Sequence, residues 1–360
     1  MGCARQDMTC PGRARGRDGL AMFEPGSYGV ALGCMVLTML CWGSWANTMK
    51  LAPGYRFQLY YWDYALGLIA GALLLGLTLG SDGGAGRGFV ADLMQVDGRH
   101  IVLALAGGAD FNIANLLLVA AIEIAGLAVA FPIGIGLALV VGAVSSYLLA
   151  PAGNPWMLFG GVGLVAAAIV CDAAAYRRRE SGGQRATLRG IGLSLVAGLL
   201  MGTFYPFVSR SMTGGASGSG SSGAAGPYAA ALLFAVGVLL CAIPVNGLLM
   251  RWPLDGKARV SMAGYWTAPA RWHLWGVVGG LIWCVGATLN FVASRAGMVG
   301  PAVSYSIGQG ATMVTAAWGV FVWREFAGAP RAARRLLGWM FVLFLAGLTL
   351  VALAPLYGKF

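Results

Sequence analysis

Charge is what this chain lacks. Of 360 residues only 13 are Asp or Glu, and all charged residues together make 10%, where a soluble domain carries about 25%. With 58% hydrophobic residues and a mean hydropathy of +0.75, that scarcity excludes a soluble globular protein and points to a polytopic membrane protein. Histidine is nearly absent. His100 and His273 each open an apolar stretch and read as interfacial residues, not ligands. Seven cysteines show no C-x-x-C spacing, and five of them, Cys34, Cys41, Cys171, Cys241 and Cys284, fall in apolar stretches where a thiol acts as a small hydrophobe. No metal site, disulfide framework or cofactor follows. The motifs G-x-S-x-G, H-E-x-x-H and Gly-Lys-Ser/Thr are also missing, so an enzyme reading has no residues to stand on.

Apolar runs and glycine are abundant. The 57 glycines are about twice the usual share, and in a low-charge apolar chain they signal close helix contacts and not disorder. A window of about 19 to 20 residues, long enough to cross ~30 Å of hydrocarbon, picks out ten spans. They run approximately 28–49, 57–80, 100–121, 126–149, 155–175, 189–209, 227–250, 272–294, 299–322 and 336–354. The runs are continuously apolar and lack the alternation of a lipid-facing barrel, so the expected fold is all-α.

The intervening segments set domains and orientation. Residues 1–27 read as a disordered leader without a signal-peptide core, and Met22 is an alternative start. Repeat one spans 28–175, a basic cytoplasmic linker 176–188, repeat two 189–354 and a short tail 355–360. The Gly/Ser/Ala run 211–226 reads as a flexible connector. Loops after odd-numbered spans hold fifteen Lys and Arg against nine on the other face. The positive-inside rule then places both termini outside. The net charge of +11 is thereby a topology signal beside anionic lipid, and nucleic acid is not an expected partner.

The two halves echo each other. Gly43, Ser44 and Trp45 align with Gly202, Thr203 and Phe204, while Ile133, Gly134 and Gly136 align with Ile307, Gly308 and Gly310. Five spans per half turn the second copy upside down, the inverted-repeat architecture of secondary transporters, with the solute near the midplane.

CWGSWANTMK (41–50), YYWDY (60–64), GGADFNIAN (107–115), AFPIGIGLAL (130–139) and AAWGVFVWREFAGA (316–329) together resemble the ureide permease family and its bacterial relatives in the drug/metabolite transporter superfamily. The likeness extends over nearly all of 25–355, and WREFAGA is also similar to glucose/ribose and rhamnose uptake proteins. The resemblance implies ten helices and carriage of a small solute, often with a proton. Two departures stand out. About a dozen residues replace the long central loop of the plant permeases, and Ala46 stands where proline is expected. A drug or metabolite efflux carrier and a sugar permease are the alternatives within the superfamily.

Ionisable groups inside spans are expensive, so each is a functional candidate. Asp63, in the aromatic run Tyr60 to Tyr64, is the candidate proton-coupling residue; the alternative is a cap or a partner for Arg56 or Lys50. Asp110, Asn112 and Asn115 lie near mid-membrane and suggest either a polar pocket or interhelical hydrogen bonds. Trp45 and Asn47 end span one, and Tyr205 holds the equivalent place in span six. Tyr305 and Gln309 share one face of span nine, within reach of Asn290 in span eight. Their amides and hydroxyls suit ureido N–H and C=O groups. Pro132 and Pro206 are candidate hinges, since each removes a backbone donor. Glu325 with Arg324 is expected to form a structural salt link at the cytoplasmic edge, and Asp172 to be interfacial.

Overall fold

In the computed structural model, which describes residues 22–82, 87–179, 187–213, 223–254 and 256–357, the protein is a helical bundle. The leader up to residue 21, the centre of the basic linker (180–186), most of the Gly/Ser connector (214–222) and residues 358–360 lie outside the described residues. In chain order the elements are α1 Tyr28–Ser44, α2 Asn47–Lys50, α3 Phe57–Leu77, α4 Phe89–Gln95, α5 Gly98–Ala125, α6 Leu127–Leu149, α7 Pro155–Arg179 and α8 Leu188–Met212. They continue with α9 Pro227–Arg251, α10 Ala263–Trp266, α11 Ala270–Arg295, α12 Pro301–Gly308, α13 Ala311–Ala317, a π-turn Trp318–Val322 and α14 Arg331–Leu353.

Helix starts follow local chemistry. Ser27, Asp97 and Thr187 cap α1, α5 and α8 by accepting from Val30, His100 and Gly190 backbone N–H groups, filling donors that the first turn leaves open. Gly126 and Gly300 precede α6 and α12 with nearly the same backbone, φ 79° and 81°, a region only glycine enters without strain.

Nine helices among the described residues are long and apolar enough to cross a bilayer. The stretch expected as a single ninth span, 299–322, is instead broken. α12 stops at Gly308, Gln309 and Gly310 form the break, and α13 runs into the π-turn. Trp42 presses on Gly308 and Met39 on Gly310, where an added Cβ would sit 2.8 Å and 2.5 Å from those side chains. The outside of the bundle is apolar, with Leu148 75% and Val170 61% exposed. Asp63, Asn112, Asn115, Asn246 and Asn290 are inside. This is the reverse of a soluble protein and matches lipid as the surrounding solvent.

α5 packs on α8 and α9, α11 on α1 and α3, α6 on α8, α3 on α9, and α7 on α14. Two of these crossings are built alike. A Cβ on Gly67 (α3) would collide with the carbonyl oxygen of Val277, and one on Gly280 (α11) with that of Tyr64. Across the molecule a Cβ on Gly108 (α5) would strike the carbonyl of Phe234, and one on Gly237 (α9) that of Leu105. In each case a glycine lies three residues after the carbonyl that the opposite glycine faces, and the missing Cβ lets the backbones touch.

Candidate functional site

The bundle centre is filled by rings from both halves. Phe111 of α5 and Trp283 of α11 face each other with centroids 4.4 Å apart. Trp42 stacks on Trp283 at 5.5 Å, and Phe234 on its other side at 5.6 Å. On α5 next to this stack, Asn112 is fully buried and Asn115 is 6% exposed. Neither amide atom of Asn112, nor the Asn115 nitrogen, nor the Tyr61 and Tyr64 hydroxyls, nor Trp42 Nε1 makes a hydrogen bond. Tyr61 approaches Asn115 without hydrogen-bond geometry. A buried polar group left unmatched costs about 1–3 kcal/mol. Unmatched groups of this kind in the same core as the aromatic stack are free to pair with a solute that carries its own donors and acceptors.

The other candidate residues take several positions. Asp110 and Asn112 are two apart on a helix and point to different faces. Asp110 is half-buried on the α8 side and accepts from Thr203 Oγ1 at 2.7 Å. Trp45 packs on Tyr64 at 4.8 Å. Asn47 donates to the Ser44 carbonyl and accepts from Trp323 Nε1 at 2.6 Å, which ties the end of α1 to the chain after the π-turn. Tyr305 donates to the carbonyls of Ala138 and Met201 and lies 4.9 Å from the ring of Tyr205. Asn290 and Ser304 exchange hydrogen bonds between α11 and α12, leaving Asn290 Oδ1 open. Gln309 stands at the break itself. Pro132 and Pro206 lie inside continuous helices, α6 and α8; Pro206 denies the Gly202 carbonyl its helical N–H.

Asp63 is buried near the N-terminal end of α3 in a cage that the sequence did not reveal. Tyr55 donates to Oδ2 at 2.8 Å, Tyr265 to Oδ1 at 2.7 Å, and His273 Nδ1 lies 3.0 Å from both oxygens. Gly276 leaves room for the carboxylate, since a Cβ there would overlap Asp63. Burial first, then the hydrogen bond to Asp63 and its charge, push the phenols of Tyr55 and Tyr265 well above their ordinary value. Both therefore stay protonated donors.

On this face Lys50 pairs with Glu325 at 2.5 Å, joined by Tyr176 at 3.0 Å and Arg179 at 3.3 Å. Loss of water pulls the Glu325 carboxyl up, but hydrogen bonds from Lys50 and Tyr176 and the charges of Lys50 and Arg179 outweigh it and hold it below the usual value. Lys50 and Arg179, rather than the neighbouring Arg324, pair with Glu325. Asp172, one turn before Tyr176 in α7, is buried with Oδ1 unpartnered. At the opposite end of α11 a cleft of about 190 Å³ opens between the ends of α6, α8 and α11 and the start of α12, with Ser209 and Ser294 in its wall.

The ureide permease family model matches residues 60–189 and 175–354. The chain belongs to the ureide permease family. Ureide permease 1 of Arabidopsis thaliana is 23% identical over 391 residues, covering 92% of this chain and 98% of its own length. Ureide permease 4 of the same plant is 23% identical over 89% of this chain and 96% of its own. A probable ureide permease, A3, of Vigna unguiculata is 29% identical over 45% of each. A solved crystal structure shares the fold at TM-score 0.57 and 15% identity, covering 90% of this chain and 96% of that one. Family and apolar helices together make this an integral, multi-pass membrane protein.

Residues absent from the sequence reading fall into two groups. Trp42, Phe111 and Trp283 look like ordinary apolar membrane residues until folding stacks them. Tyr55, Tyr265 and His273 lie up to 210 residues from Asp63, and only the two-histidine count singles out His273 beforehand.

Proposed function

We propose that this protein is a secondary-active carrier of a small, neutral, planar solute of the ureide class. The observation that carries it is the set of buried, unmatched amides and hydroxyls beside the central aromatic stack, in a chain of the ureide permease family. A cyclic ureide offers a flat face to Trp283 and Phe111 and an edge of alternating N–H and C=O to Asn112 and Asn115. The remaining candidates, Trp45, Asp110, Tyr205, Asn290, Tyr305 and Gln309, stay candidates for contact with the solute along its path.

The reading includes ten crossings arranged as two inverted five-helix repeats, α12, α13 and the π-turn together making the ninth. The matched glycine crossings support it. Exchanging α3 with α9 and α5 with α11 turns one crossing into the other, Gly67 with Gly237 and Gly280 with Gly108. The same exchange carries Trp283 onto Phe111, so the central ring pair lies on the implied two-fold axis. A cleft at one end of α11 and a caged carboxylate at the other suit alternating access, and coupling to a proton is assigned to the Asp63 end. The charge asymmetry of the loops supports a cytoplasmic position for that end, with both termini outside.

Reconstituted protein should accumulate labelled allantoin or a hydantoin under an inward-directed pH gradient, and should not do so with sugars or cationic dyes. Accumulation of dyes alone would replace this reading with efflux of lipophilic cations. For topology, a single cysteine in 214–222 should react with an impermeant reagent from outside, and one in 181–184 should not.

A further inference from the structure

We infer that the coupling proton is held by His273, on its outer nitrogen, and that Asp63, Tyr55 and Tyr265 form the latch which reads its charge. This rests on the proton-coupled reading above and names the group that reading leaves to Asp63 alone.

Both oxygens of Asp63 are saturated by donors. Oδ1 receives Tyr265 and His273, and Oδ2 receives Tyr55 and His273. Adding a proton to this carboxyl would insert a donor among three donors, and a phenol hydroxyl would have to turn to accept it. His273 is arranged the other way. Its Nδ1 faces the two Asp63 oxygens, with Tyr55 Oη at 3.3 Å, so Nδ1 carries the hydrogen and the lone pair is on Nε2. The side chain is 26% exposed against 3% for Asp63, so His273 is the partner of the pair that reaches the surface. The carboxylate fixes the tautomer from behind.

The charge balance then supplies a mechanism. With His273 neutral the buried cluster bears −1. A proton arriving from solvent at Nε2 makes it an ion pair of net zero, with no bond broken and no proton moved from Asp63. Titratable groups facing Asp63 from its own helix and its neighbours are Tyr60, Tyr55, Tyr265 and His273; the phenols remain neutral. His273 is thus the group in the cage that changes charge. The cage joins the segment before α3 to α10 and the start of α11, so the neutral pair holds these together. Loss of the proton leaves an uncompensated carboxylate there and favours admitting water.

Proteoliposomes with a one-unit pH gradient test this, since one proton per solute drives about tenfold accumulation. His273→Gln and Asp63→Asn should each reduce accumulation to about onefold, with exchange at equal concentrations still measurable. The double variant should be no worse than either, because both belong to one unit. His100→Gln, at the other end of the bundle, should accumulate as the wild type does. It also leaves His273 as the only histidine in the chain. Diethyl pyrocarbonate should then abolish accumulation in that variant without altering the fold by substitution. Accumulation by His273→Gln within twofold of wild type while Asp63→Asn fails, or survival of accumulation after His273 is shown by mass spectrometry to be modified, would overturn the inference and leave coupling at Asp63. Absence of accumulation in the wild type would remove the coupled reading and this one with it.

Discussion

Under the proposed repeat, the fourth helix of the first half and its counterpart in the second start alike and end differently. Both follow a glycine of positive φ, Gly126 and Gly300, and both carry Ile-Gly-x-Gly. α6 nevertheless runs unbroken to Leu149, whereas α12 stops at Gly308. The partners differ. In the register that aligns Gly43 with Gly202, α8 offers Gly198 to the first copy, and a Cβ there would come 2.5 Å from the Gly134 carbonyl. α1 offers Met39 and Trp42 to the second copy, and their bulk seats on Gly310 and Gly308. In the first half Gly134 meets Gly198 and the tip of Leu118 while Gly136 has open space beside it; in the second, bulk seats on both glycines, and the helix breaks where glycine makes bending cheapest. The same motif therefore produces a strut in one half and an articulated element in the other.

The largest expected effect tests whether the halves are equivalent where they look equivalent. Gly67→Leu and Gly237→Leu each drive a side chain into a backbone carbonyl, which a rotamer change cannot relieve. Each should cost more than about 3 kcal/mol and remove most folded protein from detergent extracts, measured by size-exclusion chromatography. Tolerance of one but not the other would break the proposed symmetry of the crossings.

A smaller, functional effect separates the cluster on α5 from the break on the opposite side. Asn115→Ala and Gln309→Ala each delete donors and an acceptor worth about 1 kcal/mol or more in a dry site, so apparent affinity should weaken about fivefold or more in each. Uptake concentration curves, with thermal stability as the folding control, decide this. Unchanged affinity in both would place the solute elsewhere.

Helix positions were legible because lipid demands uninterrupted apolar runs, a signal carried by each segment alone. The break at Gln309 was not, since α12 and α13 have the composition of one span and the cause lies on α1. Asp63 stood out as a charge within a span, but its cage did not, because residues 55, 63, 265 and 273 meet only after α10 and α11 fold back. Asn112 and Asn115 share a face by helical spacing, and Asp110, a turn of roughly 200° from Asn112, lies on another, where Thr203 meets it. Asn47 looked like a solute ligand in sequence; in the fold its amide is engaged at both ends by Ser44 and Trp323.

The π-turn end of the second half carries a pH test. Glu325 has its folded value held below the ordinary 4.5. A depressed carboxyl stabilises the fold above its unfolded value, and that contribution disappears as pH falls through the folded one. Thermal stability in detergent should therefore drop between about pH 4.5 and lower values in the wild type. Glu325→Gln should be less stable at neutral pH and show a shallower acid limb. An unchanged limb would mean that the Lys50 and Arg179 contacts do not hold α2 and α7 to this segment.

The smallest effect sharpens the comparison of the two fourth helices directly. In the repeat register Gln309 stands where α6 has Ile135, so Gln309→Ile makes the second copy more like the first. It removes an amide that is 9% exposed and supplies an apolar side chain of similar reach. Replacing this side chain, which makes no hydrogen bond among the described residues, should raise stability by about 1 kcal/mol and the melting temperature by about 2 °C. The glycines and the bulk of Met39 and Trp42 are untouched, so the bend should persist. Loss of transport with that gain in stability would show that Gln309 serves the solute at a cost to the fold. A lower melting temperature would instead mean that the amide supports the break, and that the difference between the two helices comes from this residue as well as from the side chains α1 presses against it.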